Sequence, residues 1–122
     1  DALVDRRRDQ LVFGVAGPGG SRIVQRWLGR RGRGSTLVSS RRALLFNPAI
    51  NGRSVAYVRS GRGGSQVRVK TRGRRGPGRV LLRRRRAGAL WSLALTGRHV
   101  FATVLRFGKR GRAYPTIVSA RR

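Results

Sequence analysis

Two segments of this chain, residues 11–38 (LVFGVAGPGGSRIVQRWLGRRGRGSTLV) and 55–82 (VAYVRSGRGGSQVRVKTRGRRGPGRVLL), align without a gap at an offset of 44 residues. Gly17, Gly19, Gly20, Gly29, Gly32 and Gly34 fall on Gly61, Gly63, Gly64, Gly73, Gly76 and Gly78. Ser21 falls on Ser65, Phe13 on Tyr57, Ile23 on Val67 and Leu37 on Leu81. Glycine is abundant here, so one or two coincidences would mean little, but six in register with matching apolar positions mark an internal repeat. A looser third copy begins at Leu90: Gly97 lies 45 residues after Gly52 and Val100 lies 45 after Val55. Its loop GKRGRA is longer, and YPTIVSARR then resembles SQVRVKTRG. The approximate units are 1–42, 43–86 and 87–122, the last incomplete.

Each unit reads as short strands between glycine turns. LVFGV, SVAYV and HVFATVL are near-continuous apolar runs, as expected of strands covered on both faces. SQVRVKTR alternates, with Val67 and Val69 on one side and Arg68, Lys70 and Arg72 on the other, which predicts a half-exposed strand. STLVSS and GRVLLRR are shorter and suit an outer strand. No stretch shows helical periodicity with caps. The expected fold is all-β, with antiparallel four-stranded blades in a 44-residue repeat. Four strands per 44 residues is the pattern of a propeller blade.

One stretch narrows this further. In FNPAINGRSVAYVRSG, a Pro-containing turn at Asn47-Pro48 and the turn at Asn51-Gly52 precede Val55-Ala56-Tyr57, and LWSLALTGRHVFATVL has the same form. This resembles the blade corner of TolB-like, or WD40-like, β-propeller repeats. The family's usual Asp before the turn glycine is absent; Asn51 and Thr96 stand there. The resemblance implies a β-propeller fragment of fewer than three blades. It also implies a repeat scaffold for protein interaction, of a kind common in exported bacterial proteins, hence periplasmic or extracellular. The expected partner is a protein or further propeller blades, and no catalytic residue or cofactor carries over. A closed propeller needs at least four blades, so unpaired edges are expected.

Among 122 residues, 39% are hydrophobic, enough for a modest core. No apolar run reaches the roughly 18 residues of a membrane span, and no secretory signal is visible. The chain starts at Asp1 rather than Met, which suggests a processed product or an excised piece. There is no cysteine, which removes disulfides and thiolate chemistry.

Thirty basic residues stand against three acidic ones, a formal charge of +27. Such a field attracts any polyanion at low salt without specificity. Only Lys70 and Lys109 are lysine, a skew that phosphate binding does not require. The acids Asp1, Asp5 and Asp9 all lie in the first nine residues, so the rest of the chain has no carboxylate for acid–base work or metal binding. His99 is the only histidine and reads as a strand-edge residue. An enzyme is not expected.

The alternative to a scaffold is an arginine-rich domain binding RNA or DNA through Arg30, Arg31, Arg33, Arg74, Arg75, Arg83, Arg84, Arg85 and Arg86. A third class is a module docking on anionic membrane or glycan surfaces. On the blade reading, Arg30-Arg31 and Arg74-Arg75 lie in the turn between the last two strands. Arg41-Arg42 and Arg83 to Arg86 lie in the link to the next blade. The two sets then fall on opposite faces, whereas a nucleic-acid reader gathers its charge on one. GRRGRG and GRGGS resemble RGG segments, but their register makes them turns. GPGGS lacks the helix and Lys-Ser/Thr of a P-loop. Phe13, Tyr57 and Phe101 are expected in the core, and Trp27, Phe107 and Tyr114 on the surface. A solvated arginine surface is therefore the preferred reading.

Overall fold

A computed structural model describes residues 10–27, 34–86 and 89–122, together with the backbone of residues 2–5. The described residues form antiparallel strands, apart from turns and one 3-10 turn at Lys109–Gly111. The first sheet has the order β1 (Ala2–Asp5), β2 (Gln10–Gly17), β3 (Gly20–Trp27), β4 (Ser35–Ser40). The middle sheet follows as β5 (Leu44–Asn51), β6 (Ser54–Gly61), β7 (Gly64–Thr71), β8 (Arg79–Arg84). The last sheet contains β9 (Leu90–Leu95), β10 (His99–Phe107) and β11 (Ala113–Arg121), with β10 in the centre.

Pairing in the first two sheets coincides at the 44-residue offset. Gln10 opposes Trp27 as Ser54 opposes Thr71, and the irregularity between Ile23 and Val24 recurs between Val67 and Arg68. Gly20 and Gly64 close equivalent two-residue turns with φ of +119° and +105°. A Cβ there would lie 2.4 Å from the Ser40 carbonyl oxygen and 2.1 Å from that of Arg84, so both contact and conformation demand glycine.

The sheets stack face to face, and the alternation of each strand decides which neighbour it meets. Val12 and Ile23 of the first sheet pack on Leu45, Val55 and Tyr57 of the middle one. The opposite face of the middle sheet, with Ala49, Ala56, Val58 and Val67, packs on Leu90, Leu95, Val100, Ala102 and Val104. The run Val55-Ala56-Tyr57-Val58 in β6 is thus apolar because both faces of the strand are covered there. Polar ties cross both interfaces. Ser21 Oγ donates to the Leu45 carbonyl and accepts from the Leu45 N–H, at 3.1 and 2.9 Å. The amides of Asn47 and Asn51 donate to the carbonyls of Trp91 and Leu95, at 2.8 and 3.4 Å.

Three expectations change. Asn47-Pro48 does not form a turn. It sits in a bulge of β5, between Phe46 and Ala49, with Asn47 at φ 51° and its amide aimed at the last sheet. The charged side of SQVRVKTR is not half exposed at Lys70, in β7, or at Arg72, just beyond it. Lys70 is buried, its Nζ donating to the carbonyls of Arg74 and Gly76 (2.7 Å for the latter), and buried Arg72 donates to the Gly52 carbonyl. In a chain so short of carboxylates, turn carbonyls receive these cations.

The third change concerns the core. Tyr57 is 0% exposed, but Phe13 is only half-buried and Phe101 is 38% exposed. The third unit runs at an offset of 45, so it is Ala102, buried against the middle sheet, that stands where Tyr57 does. A slip of one residue turns Phe101 to the other face. Phe13 does share Tyr57's position, on the face of the first sheet away from the middle one.

Candidate interaction surfaces

In an antiparallel pair, directly opposed residues share a face. On β2 and β3 the outward face therefore carries Leu11, Phe13 and Val15, opposite Arg26, Val24 and Arg22. Phe13, Val15 and Val24 line an open depression of about 520 Å³, rimmed by Arg22, Arg26 and Thr36. On the last sheet the outward set is Phe101, Thr103, Leu105 and Phe107 of β10, opposite Ser119, Ile117, Pro115 and Ala113 of β11. Ile117 is 76% exposed there, and Phe107 and Phe101 are exposed beside it. β11 carries no charged residue from Ala113 to Ala120. In a chain of charge +27, the middle of this face carries no arginine; Arg121, opposite His99, and Arg86, on the Phe107 ring, lie at its ends.

Two groups of arginines lie at opposite ends of β8 in the middle sheet. Arg74 and Arg75 are exposed in the connection between β7 and β8. Arg83 and Arg84 complete β8 rather than the link, with Arg84 opposite Ser65, while Arg85 and Arg86 lie beyond it, exposed. The two groups are held apart by β8 itself, roughly 20 Å for six extended residues. Arg30, Arg31 and Arg33 lie outside the described residues. Arg86 is not free on the surface: its guanidinium carbon lies 3.8 Å from the Phe107 ring centroid, a cation–π contact.

At the Arg74 end, Gln10, Gln25, Trp27, Arg53 and Arg72 line a cleft of about 370 Å³ between the first and middle sheets. The Gln25 amide donates to Gln10 Oε1 at 3.1 Å. The last sheet repeats part of this corner. The Arg72 N–H donates to the Arg53 carbonyl at 2.8 Å, and the Arg122 N–H donates to that of Arg98 at 2.8 Å. Arg122 also donates to the Thr96 carbonyl at 2.7 Å and to Ser54 Oγ, bridging two sheets.

Thr96 accepts from the His99 N–H at 2.9 Å and so braces its turn. Asn51, in the equivalent place, reaches the next sheet instead. His99 opens β10 with its ring 6.0 Å from that of Phe101, at the end of the outward face.

Trp27, Phe107 and Tyr114 are exposed as the sequence suggests. Ile117 and Trp91 are exposed as well, and sequence reasoning did not single out Ile117. Its signal was the adjacent apolar pair Ile117-Val118 within a strand, which must lie on opposite faces. No helix among the described residues is long and apolar enough to cross a membrane. Comparison with family models, curated proteins and solved structures finds no match to this chain.

Proposed function

We propose that this chain is a non-catalytic, propeller-type repeat scaffold that engages protein through the open faces of its end sheets. One observation carries the reading. The middle sheet is covered on both faces by like sheets, whereas the first and last each leave an apolar face uncovered. Coinciding strand registers at the repeat offset support blades over unrelated sheets. The resemblance of the Asn51-Gly52 and Thr96-Gly97 corners to TolB-like repeats supports a place among exported scaffolds. The absence of any carboxylate after Asp9 speaks against acid–base chemistry.

Binding of nucleic acid is the second reading. The separation of Arg74-Arg75 from Arg83 to Arg86 weighs against it as a dedicated site, because contact would then follow total charge. Photo-crosslinking separates the two. A photoreactive residue at Ile117 should capture protein, and one at Arg75 should capture nucleic acid only in low salt. Strong nucleic-acid adducts at Arg75 in physiological salt, with none of protein at Ile117, would overturn the scaffold reading.

A further inference from the structure

The two open faces are the two halves of an interface the molecule already contains twice. Phe13 stands where Tyr57 does, and Tyr57 belongs to the face of the middle sheet that packs on the first sheet. Phe101 and Thr103 stand, at the offset of 45, where Ala56 and Val58 do, and those pack on the last sheet. An end face of the first kind therefore meets its complement in an end face of the second kind. One molecule carries one of each.

We propose that the surface covering both end faces is a second copy of this chain, docked head to tail, with the first sheet of each copy on the last sheet of the other. The inference rests on the blade reading above. Such an interface is heterologous, and heterologous contacts close into a ring when the rotation permits. Two stacks of three sheets would make a ring of six, within the four to eight blades of closed propellers. Two copies then leave no end face open, so the dimer is the stopping point.

Charge opposes this pairing, since each copy carries +27. The contact itself is better placed than the total suggests. Phe101, Thr103, Ile117 and Ser119 bring no charge to its middle; the cations around it are Arg22 and Arg26 at the rim of the first sheet, with Arg121 and Arg86 at the ends of the last sheet's face. Repulsion is mainly longer in range, and salt removes it: at about 1 M the screening length falls to roughly 3 Å. Dimerisation should therefore strengthen with salt, opposite to the behaviour of polyanion binding.

Sedimentation velocity across protein concentration at low salt and at about 1 M salt tests this, the screening length falling from about 10 Å at 0.1 M. The wild type should pass from monomer to dimer as salt rises and go no further. Ile117→Arg blocks the last sheet's face and Thr36→Arg the rim of the first; both positions are exposed, and thermal melts matching wild type would show intact folding. Each variant alone should stay monomeric, because no complementary pair of faces remains. An equimolar mixture should recover a 1:1 dimer, held by one interface instead of two and so at least tenfold weaker than wild type. Thr71→Arg, which adds the same charge away from both faces, should dimerise like wild type. If either variant misfolds, Ser119→Arg and Val15→Arg replace them on the same faces. A wild type that stays monomeric at all salts, growth past the dimer, or a dimer persisting in one single variant would each overturn the proposal. The first of these results leaves the scaffold reading standing if protein adducts at Ile117 are still found.

Discussion

β6 and β10 are equivalent strands with similar composition and different surroundings. In β6, Val55, Ala56, Tyr57 and Val58 are all buried, because a sheet lies on each side. In β10, burial alternates: Val100, Ala102 and Val104 are covered and the residues between them are not. An apolar run thus records that a strand is fit for covering on both faces, and the neighbouring sheets decide whether it is covered. The exposed aromatics of β10, Phe101 and Phe107, belong to the geometry of a stack end.

The two strands differ most at Tyr57, which is 0% exposed. Replacing it with Ala should cost roughly 3–5 kcal/mol in thermal or denaturant unfolding, the usual range for a fully buried aromatic. A near-neutral result would mean the middle sheet is not clamped. Gly64→Ala comes next. With φ +105° and the Arg84 carbonyl in the way, it should destabilise by more than about 1 kcal/mol. Gly20→Ala should behave alike, and a large difference between the two would deny their equivalence. Phe13→Ala should fall near 1–2 kcal/mol, roughly half the cost at Tyr57, since one side of its ring is open.

A smaller effect isolates the Tyr57 hydroxyl, which donates to the Pro77 carbonyl and pins the connection between β7 and β8. Tyr57→Phe should cost about 1 kcal/mol. Burial raises the pKa of this phenol, while Arg68 and Arg59 act to lower it. The folded protein therefore keeps the proton where the unfolded chain releases it. That contribution is fully present below about pH 10 and is lost as pH rises through the higher folded value. Wild type should lose stability above about pH 10 more steeply than Tyr57→Phe; parallel curves would contradict this. Smallest of all, Phe101→Ala should change stability by no more than about 0.5 kcal/mol, as at an exposed site.

Much of the strand plan was legible because glycine, repeated in register, fixes turns with little help from packing. Gly17, Gly20, Gly61 and Gly64 show this directly. What the sequence concealed depends on a third dimension. Phe101 was misplaced because a single extra residue in the last unit reverses a face, and the pattern HVFATVL reads equally well in either register. Lys70 and Arg72 looked solvated because alternation says which side a residue takes, not that turn carbonyls wait there to receive a cation. The same holds for Asn47, whose link to Trp91 spans 44 residues. Of the proposed nucleic-acid residues, the separation of Arg74-Arg75 from Arg83 to Arg86 followed from the strand plan. The packing of Arg86 on Phe107 did not, since no local pattern connects a link to a distant strand.

Amide hydrogen exchange, resolved by residue, tests the clamped middle sheet most directly, because opening a strand covered on both faces must break two interfaces. The amides of Val55 to Val58 and of Val67 should exchange slowest in the molecule, with those of β2 and β10 exchanging sooner and β11, at an open edge, sooner still. Exchange as slow in β10 as in β6, or faster in β6, would contradict the stack of three sheets with its centre covered on both sides.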